Sequence, residues 1–379
     1  MPLAQVQRGA RAEREALSRY GVMKMRSRCA LCFALWAALS GCSDNDRSPP
    51  DVQFELPPNE LPPVALPTRI GFGSCSDPNF PMETLDVASD LDPDLYIWLG
   101  DNVYADTFDT QVMRSEYATL AGADEFLRLR DRAHLLATWD DHDYGANDAG
   151  KDYSMKDESM AIFLEFWEEP TDSPRWDRDG IYTSYLYQDA GQALQIILLD
   201  TRFNRDAHTP NDGSGKNDYI PNVDDELTIL GETQWAWLEQ QFLIDADLRL
   251  VGSSIQFAHE YNGYESWTLF PNERERFIDL VESTQANGVM VLSGDVHWGE
   301  VSRLPLAGGY DLYDFTSSGI NRDWSFVADN ANRVAGPVPE FNVGMLDIDW
   351  SEATVTTSMY DATGAQRIEL SLSFDDVSF

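Results

Sequence analysis

Short apolar runs alternate with stretches of helical periodicity through most of this 379-residue chain. Residues 95–99, Leu-Tyr-Ile-Trp-Leu, are uninterrupted, β-prone and closed by Gly100, which predicts a strand buried on both faces. Residues 68–75, 134–139, 248–258 and 288–293 read the same way. Between them lie helical signals. A mostly helical stretch covers residues 116–133, and Ile162, Phe163, Phe166 and Trp167 form a core-facing stripe halted by Pro170. Trp235, Leu238 and Phe242 mark a further helix started by Thr233, and Phe277, Leu280 and Val281 another, opened by the capping pair Asn272 and Glu275. Residues 182–188 and 192–200 flank Asp189-Ala190-Gly191 as a hairpin, residues 204–226 read as a long surface loop, and the chain beyond 299 is β runs with turns such as Asp361-Ala362-Thr363-Gly364. The pattern predicts an α/β fold in which two mixed sheets pack between helical layers, with no internal repeat and no second-domain boundary.

Four of the predicted strands end in side chains able to hold a metal. They are Cys75, Asp101 with Tyr104, the run Asp140-Asp141-His142-Asp143, and Asp295 with His297. One such ending is ordinary turn chemistry, since an Asp there can cap a backbone N–H. Four together are not, because turn carboxylates have no reason to coincide with the C-termini of the most buried strands, where α/β sheets gather their ligands. A thiolate, a phenolate, an imidazole and a carboxylate suit a highly charged transition metal, and the neighbouring carboxylates suit a hard cation such as calcium.

Composition narrows the partners. With 27 Lys and Arg against 65 Asp and Glu, the formal net charge is -38, so nucleic-acid binding is not expected. Most of the acid excess belongs to a solvated surface. Lys24, Arg26 and Arg28 precede an apolar run at 29–39 and then Leu39-Ser40-Gly41-Cys42, which is too short to span a bilayer. Residues 1–41 resemble a bacterial lipoprotein signal, with the true start at Met1, Met23 or Met25 and Cys42 as the lipidated residue; a plain secretory signal is the other reading. Residues 42–67, with Pro49-Pro50, Pro57-Pro58 and Pro62-Pro63, read as an extended tether, and residues 68–379 as the single folded domain. Membrane contact is expected through the lipid anchor alone, on the periplasmic or cell-surface side. Ser43 lacks the Asp associated with inner-membrane retention, which favours the outer membrane. Cys29 and Cys32 leave with the signal and Cys42 carries lipid, so Cys75 stands alone, and a lone exported thiol needs protection by burial or by a metal.

Five motifs in order, Gly73-Ser74-Cys75, Gly100-Asp101-x-x-Tyr104, Trp139-Asp140-Asp141-His142-Asp143, Leu199-Asp200-Thr201-Arg202 and Ser293-Gly294-Asp295-Val296-His297, resemble the alkaline phosphatase D (PhoD-like) metallophosphatases. The resemblance covers about residues 68–320 and implies a four-layer α-β-β-α sandwich that hydrolyses phosphate esters with iron(III) and calcium. It implies that Cys75, Tyr104 and His297 hold the iron, that Asp101 bridges, and that Asp140, Asp141 and Asp295 bind on the calcium side, with Asn147-Asp148 supplying a further ligand. Two-metal hydrolysis needs no protein nucleophile. His142 is then either a proton donor to the leaving group or a group orienting a carboxylate, and Arg202 either clamps a phosphate oxygen or pairs with surplus carboxylates. His259 reads as structural, His134 as a core or edge residue, His208 as exposed, and Trp298 as a residue lining the pocket. The expected substrates are small phosphate esters and the expected state is a monomer. The competing functions are a non-catalytic calcium-binding surface lipoprotein and a hydrolase of a non-phosphate ester.

Overall fold

The computed structural model describes residues 52–379 apart from 214–217, 225 and 308; the expected targeting segment and Cys42 lie outside the described residues. Strands β1 (Arg69–Gly73), β2 (Leu95–Leu99) and β3 (His134–Thr138) run parallel. The pleat of β2 sends Leu95, Ile97 and Leu99 into one apolar cluster and Tyr96 and Trp98 into another, so this sheet has a core on each face. Burying each such side chain contributes about 1.5–3 kcal/mol.

The second sheet is built around β5 (Gln192–Leu198), β8 (Leu248–Gly252), β9 (Val289–Ser293) and β11 (Asp311–Ser317), all parallel. Strand β4 (Thr183–Asp189) pairs antiparallel with β5 as the expected hairpin, and β10 (Gly299–Pro305) and β12 (Arg333–Val338) close the other edge. The first sheet is completed by β13 (Asn342–Asp349), β14 (Thr354–Asp361) and β15 (Gln366–Ser373), with β13 antiparallel to β1. A separate two-stranded ribbon, β6 (Thr209–Pro210) with β7 (Tyr219–Ile220), rises from the long polar loop.

Helices α1 (Glu83–Asp90), α2 (Thr110–Ala121) and α3 (Asp124–Arg130) share the Tyr96 and Trp98 cluster, as does α5 (Lys156–Phe166), which follows the single turn α4 (Asp141–Tyr144). Helices α6 (Gly231–Phe242) and α7 (Pro271–Thr284) place Trp235, Leu238, Phe242, Phe277 and Val281 in the cluster built on the second sheet. The result is the expected sandwich of two mixed sheets between helical layers.

Five local expectations are corrected. The helical stretch at 116–133 is two helices parted at Gly122 and Ala123, the first capped by Asp109, whose carboxylate accepts from the Gln111 N–H at 2.9 Å. The strand expected to reach Ala258 stops at Gly252, because Asp314 Oδ2 takes the N–H groups of Phe257 and Ala258 at 2.8 and 2.9 Å. Helix α7 starts from Pro271 at its first turn with no side-chain cap, and the Gly231 N–H that opens α6 donates to Thr228 Oγ1, not to Thr233. Residues 52–67 are not a free spacer: Phe54 meets the rings of Tyr117 and Phe166, and Arg130 donates to the Pro57 carbonyl at 3.1 Å. Among the described residues no helix is long and apolar enough to cross a membrane.

Candidate metal centre

The strand ends turn abruptly, and they do so on the expected ligand residues themselves. Cys75 (φ 63°), Asp101 (φ 50°), Asp295 (φ 72°) and His297 (φ 62°) are all left-handed. That conformation costs about 1–3 kcal/mol for such residues and persists only where the surroundings over-determine it. Here neighbouring turns hold one another: the N–H groups of Cys75 and Ser76 donate to the carbonyls of Gly100 and Asp101 at 3.3 and 2.8 Å, and Gly294 N–H donates to Ser254 O at 2.9 Å. Gly100, at φ 102°, is required, since a Cβ there would sit 2.7 Å from the Asp140 backbone nitrogen.

Two groups of donors result. In the first, Cys75 Sγ lies 3.5 Å from Asp101 Oδ2, and the Tyr104 hydroxyl lies 3.3 Å from the same oxygen and 3.0 Å from His297 Nε2. In the second, Asp140, Asp141 and Asp295 bring ligand atoms within 4.8 Å of one another, as do Asp101, Asp141 and His142. Asp101 belongs to the first group and shares a set with Asp141, so it links the two. A third set, Asp141, Asp148 and Glu265, extends the carboxylates outward.

Burial pushes the Cys75 thiol and the Tyr104 phenol well up, and neighbouring Asp101 adds to both. Burial likewise raises Asp140 and Asp295, and holds Asp101 at about 7 despite the pull of His142. His297 is lowered to about 4 by burial and by the charges of His142 and Arg322, so its imidazole is neutral at pH 7, the form that ligates metals. Asp140 Oδ2 and Asp141 Oδ1 are buried with no hydrogen-bond partner. A soft and aromatic donor set beside orphaned carboxylate oxygens fits cations, which would displace these protons and satisfy those oxygens.

The other predicted residues fall around this centre. His142 Nδ1 contacts Asp106 Oδ2 at 2.8 Å, and its ring packs 4.2 Å from that of Tyr104. Burial lowers its pKa, but Asp101, Asp141 and Asp106 outweigh it and hold it up to about 10. Arg202 is fully buried, so it is not a phosphate clamp and does not pair with surface acids. Its Nε lies 2.6 Å from Asp140 Oδ1 and its Nη1 lies 2.7 Å from Glu265 Oε2, beneath the carboxylates it holds. Asn147 lines the cavity above the centre while its N–H donates to Asp106 Oδ1 at 3.0 Å. Asp143, the last acid of the run, is not in any donor group among the described residues. It accepts from the N–H groups of Asp140 and Asn102 and so fixes the turn. Trp298 lines the cavity as expected, and His259 is buried beside Glu300.

A model of the PhoD-like phosphatase family matches residues 71–337, most of the chain and all of the donors above. The chain belongs to this family. It is 27% identical over 251 residues to alkaline phosphatase D of Bacillus subtilis, covering 56% of this chain and 42% of that protein, so it spans less than half the length of that relative. The solved structure of PhoD superposes with a TM-score of 0.60 at 18% identity, over 83% of this chain and 73% of the other. GAP50, described as the anchor in the inner membrane complex of Plasmodium, shares the fold with a TM-score of 0.54 at 12% identity, over 81% of this chain and 89% of that one. PhoD-like phosphatases are metal-dependent, and the donor groups described here are this member's candidate metal sites.

Two residues of the centre were not legible beforehand. Glu265 is one acid among 65 Asp and Glu, in a loop with no motif, and only folding brings it to Arg202, Arg205 and His208. His208 was expected exposed on the polar loop, yet it is buried against Glu265.

Proposed function

We propose that this PhoD-like chain is an extracytoplasmic hydrolase of phosphate esters, lipid-anchored at Cys42. In this reading Cys75, Tyr104, His297 and Asp101 hold iron(III), and Asp101, Asp140, Asp141 and Asp295 hold calcium, with Asn147 and Asp148 adjoining. The observation that carries it is the sign of the charge around the cavity, about 170 Å³ in volume. Asp141, Asp148, Asp218, Glu265 and Asp295 line it, and among its described lining residues His142 is the one cationic side chain, with no Lys or Arg. Such a cavity repels a phosphate unless cations reverse its sign. The bound metals would supply Lewis acidity toward the phosphoryl oxygens and a water of lowered pKa.

The protein's own part is positional. Arg202 keeps Asp140 and Glu265 in place from below. His142 lines the cavity with Nδ1 held by Asp106, which leaves its other ring nitrogen to hand a proton to the leaving oxygen. The test is elemental analysis of the purified protein together with turnover of matched phosphate mono- and diesters. Iron and calcium with ester hydrolysis are expected, and a visible charge-transfer band that disappears in Tyr104→Phe. Zinc alone would sink the metal assignment. Calcium without hydrolysis of any ester would favour the non-catalytic calcium-binding alternative.

A further inference from the structure

Above the carboxylates the cavity has a wall that the proposed chemistry does not use. It is made of rings: Tyr219, Tyr264, Trp298, Trp324 and Phe326. Trp324 and Phe326 remain 45% and 52% exposed. A lone exposed apolar side chain needs no explanation, but two of them at one cavity mouth, facing further rings, form a surface that water covers poorly. The Trp324 ring centre lies 5.7 Å from that of Tyr264 and 6.1 Å from that of His297, inclined by 59° and 51°. These rings meet at an angle and are not stacked in parallel, so ring faces remain for a ligand.

The segment that carries them is held at both ends. Asn321 accepts from the Asp77 N–H and donates to the Asp77 carbonyl, both at 2.7 Å, and Ala328 packs against Val296 and Trp298 beside His297. The wall is also defined by its charges. Asp148 and Asp218 stand among the rings without a Lys or Arg in the lining, so a second anionic group on the substrate would be repelled. A neutral planar ring escapes that repulsion and can lie against the ring faces.

We propose that this wall seats the organic group of the substrate, that the enzyme prefers phosphate esters carrying a neutral planar ring, aryl or nucleoside, and that Trp324 is the specificity-determining residue. This inference rests on the phosphate-ester reading and names its substrate class.

The metal-loaded full chain is assayed on a nucleoside 5′-monophosphate and on ribose 5-phosphate, which share a leaving alcohol and differ only in the base. Phenyl phosphate in parallel distinguishes an aryl from a nucleoside preference. In a second arm, calorimetry compares binding of phenylphosphonate and propylphosphonate, which cannot be hydrolysed. The planar member of each pair is expected to win by at least about fivefold, the range of ring stacking. That ratio should fall toward one in Trp324→Ala and be largely kept in Trp324→Phe, while Leu243→Ala, an exposed apolar residue outside the cavity lining, keeps the wild-type ratio. Equal ratios in wild type and Trp324→Ala, or no planar preference in the binding arm, would overturn the proposal. Absence of all turnover with a planar binding preference that depends on Trp324 would sink the hydrolase reading and leave the ring wall standing.

Discussion

Carboxylates gather at two opposite places on the sheets, and only one of them resembles a site. Around the start of β1 stand Asp92, Asp94, Asp347 and Asp349, all at least partly exposed. Each of three has ordinary work: Asp94 accepts from the Thr68 and Arg69 N–H groups at 2.7 and 3.0 Å, Asp347 pairs with Arg69 at 2.6 Å, and Asp349 accepts from Ser351 and Glu352 at 2.9 and 3.1 Å. The Ser351 hydroxyl, which donates to Asp349 at 2.6 Å, together with these N–H groups holds Asp349 below its usual pKa. At the carboxyl ends Asp101 and Asp140 are buried and Asp295 is half-buried, all three are raised in pKa, and beside them stand carboxylate oxygens with no hydrogen-bond partner. Acidity alone therefore says little. What separates the two clusters is whether the protein itself satisfies the charge, and where it does not, a cation is the missing partner.

The largest contrast should come from Asp101→Ala against Asp94→Ala. The first is expected to strip metal and cut turnover by more than about 100-fold, beyond what the loss of an outer partner causes. The second should keep metal content and rate. Full hydrolysis by Asp101→Ala would end its bridging role.

Next in size is Arg202→Ala against Arg69→Ala. Removing the fully buried guanidinium leaves Asp140 without its ion-pair partner and Glu265 with only Arg205 and His208, a loss of about 3–5 kcal/mol. Removing the exposed partner of Asp347 should cost no more than about 1 kcal/mol. Denaturant titration of both variants decides this, and equal losses would mean that Arg202 does not hold the carboxylates in place.

Metal removal gives a pH signature with a defined sign. In the folded chain burial holds Asp101 and Asp148 at about 7 and Asp143 at about 8, against 3.8 when unfolded. Between those values the folded state binds more protons, so stability falls as pH rises from about 4 to about 8. Chelated protein should melt lower at pH 8 than at pH 5.5, and added calcium should shrink the difference. A flat profile would contradict the burial of these groups. The smallest effect is expected from Asp349→Asn, which should scarcely move the melting temperature and leave metal content unchanged.

The four donor-bearing strand ends were readable in the chain because each pairs an uninterrupted apolar run with a donor placed directly after it, as in residues 95–101. Local order along the sequence sufficed there, since a strand carries its last residue to the sheet's end whatever the rest of the fold does. The sandwich followed from the same alternation. Arg202 shows the limit: its motif announced a functional neighbourhood, but its burial beneath Asp140 and Glu265 depends on three segments converging, which no local pattern encodes. Asn102 makes the same point on a smaller scale. It is an unspecified position of the Gly100-Asp101-x-x-Tyr104 motif, yet its side chain donates to the Thr138 carbonyl at 2.9 Å and helps fix the turn beside Asp101.

By itself the sequence determined the α/β layering, the family and the residues that end the buried strands, because hydrophobic period and donor position are properties of contiguous chain. Only the tertiary structure decided that Glu265 and His208 join the centre, that Asp143 ties its turn to Asn102, and that Trp324 packs against Tyr264 in the cavity wall. Those facts depend on contacts between residues far apart in the chain, and burial, which sets both charge state and accessibility, exists only once the layers have closed.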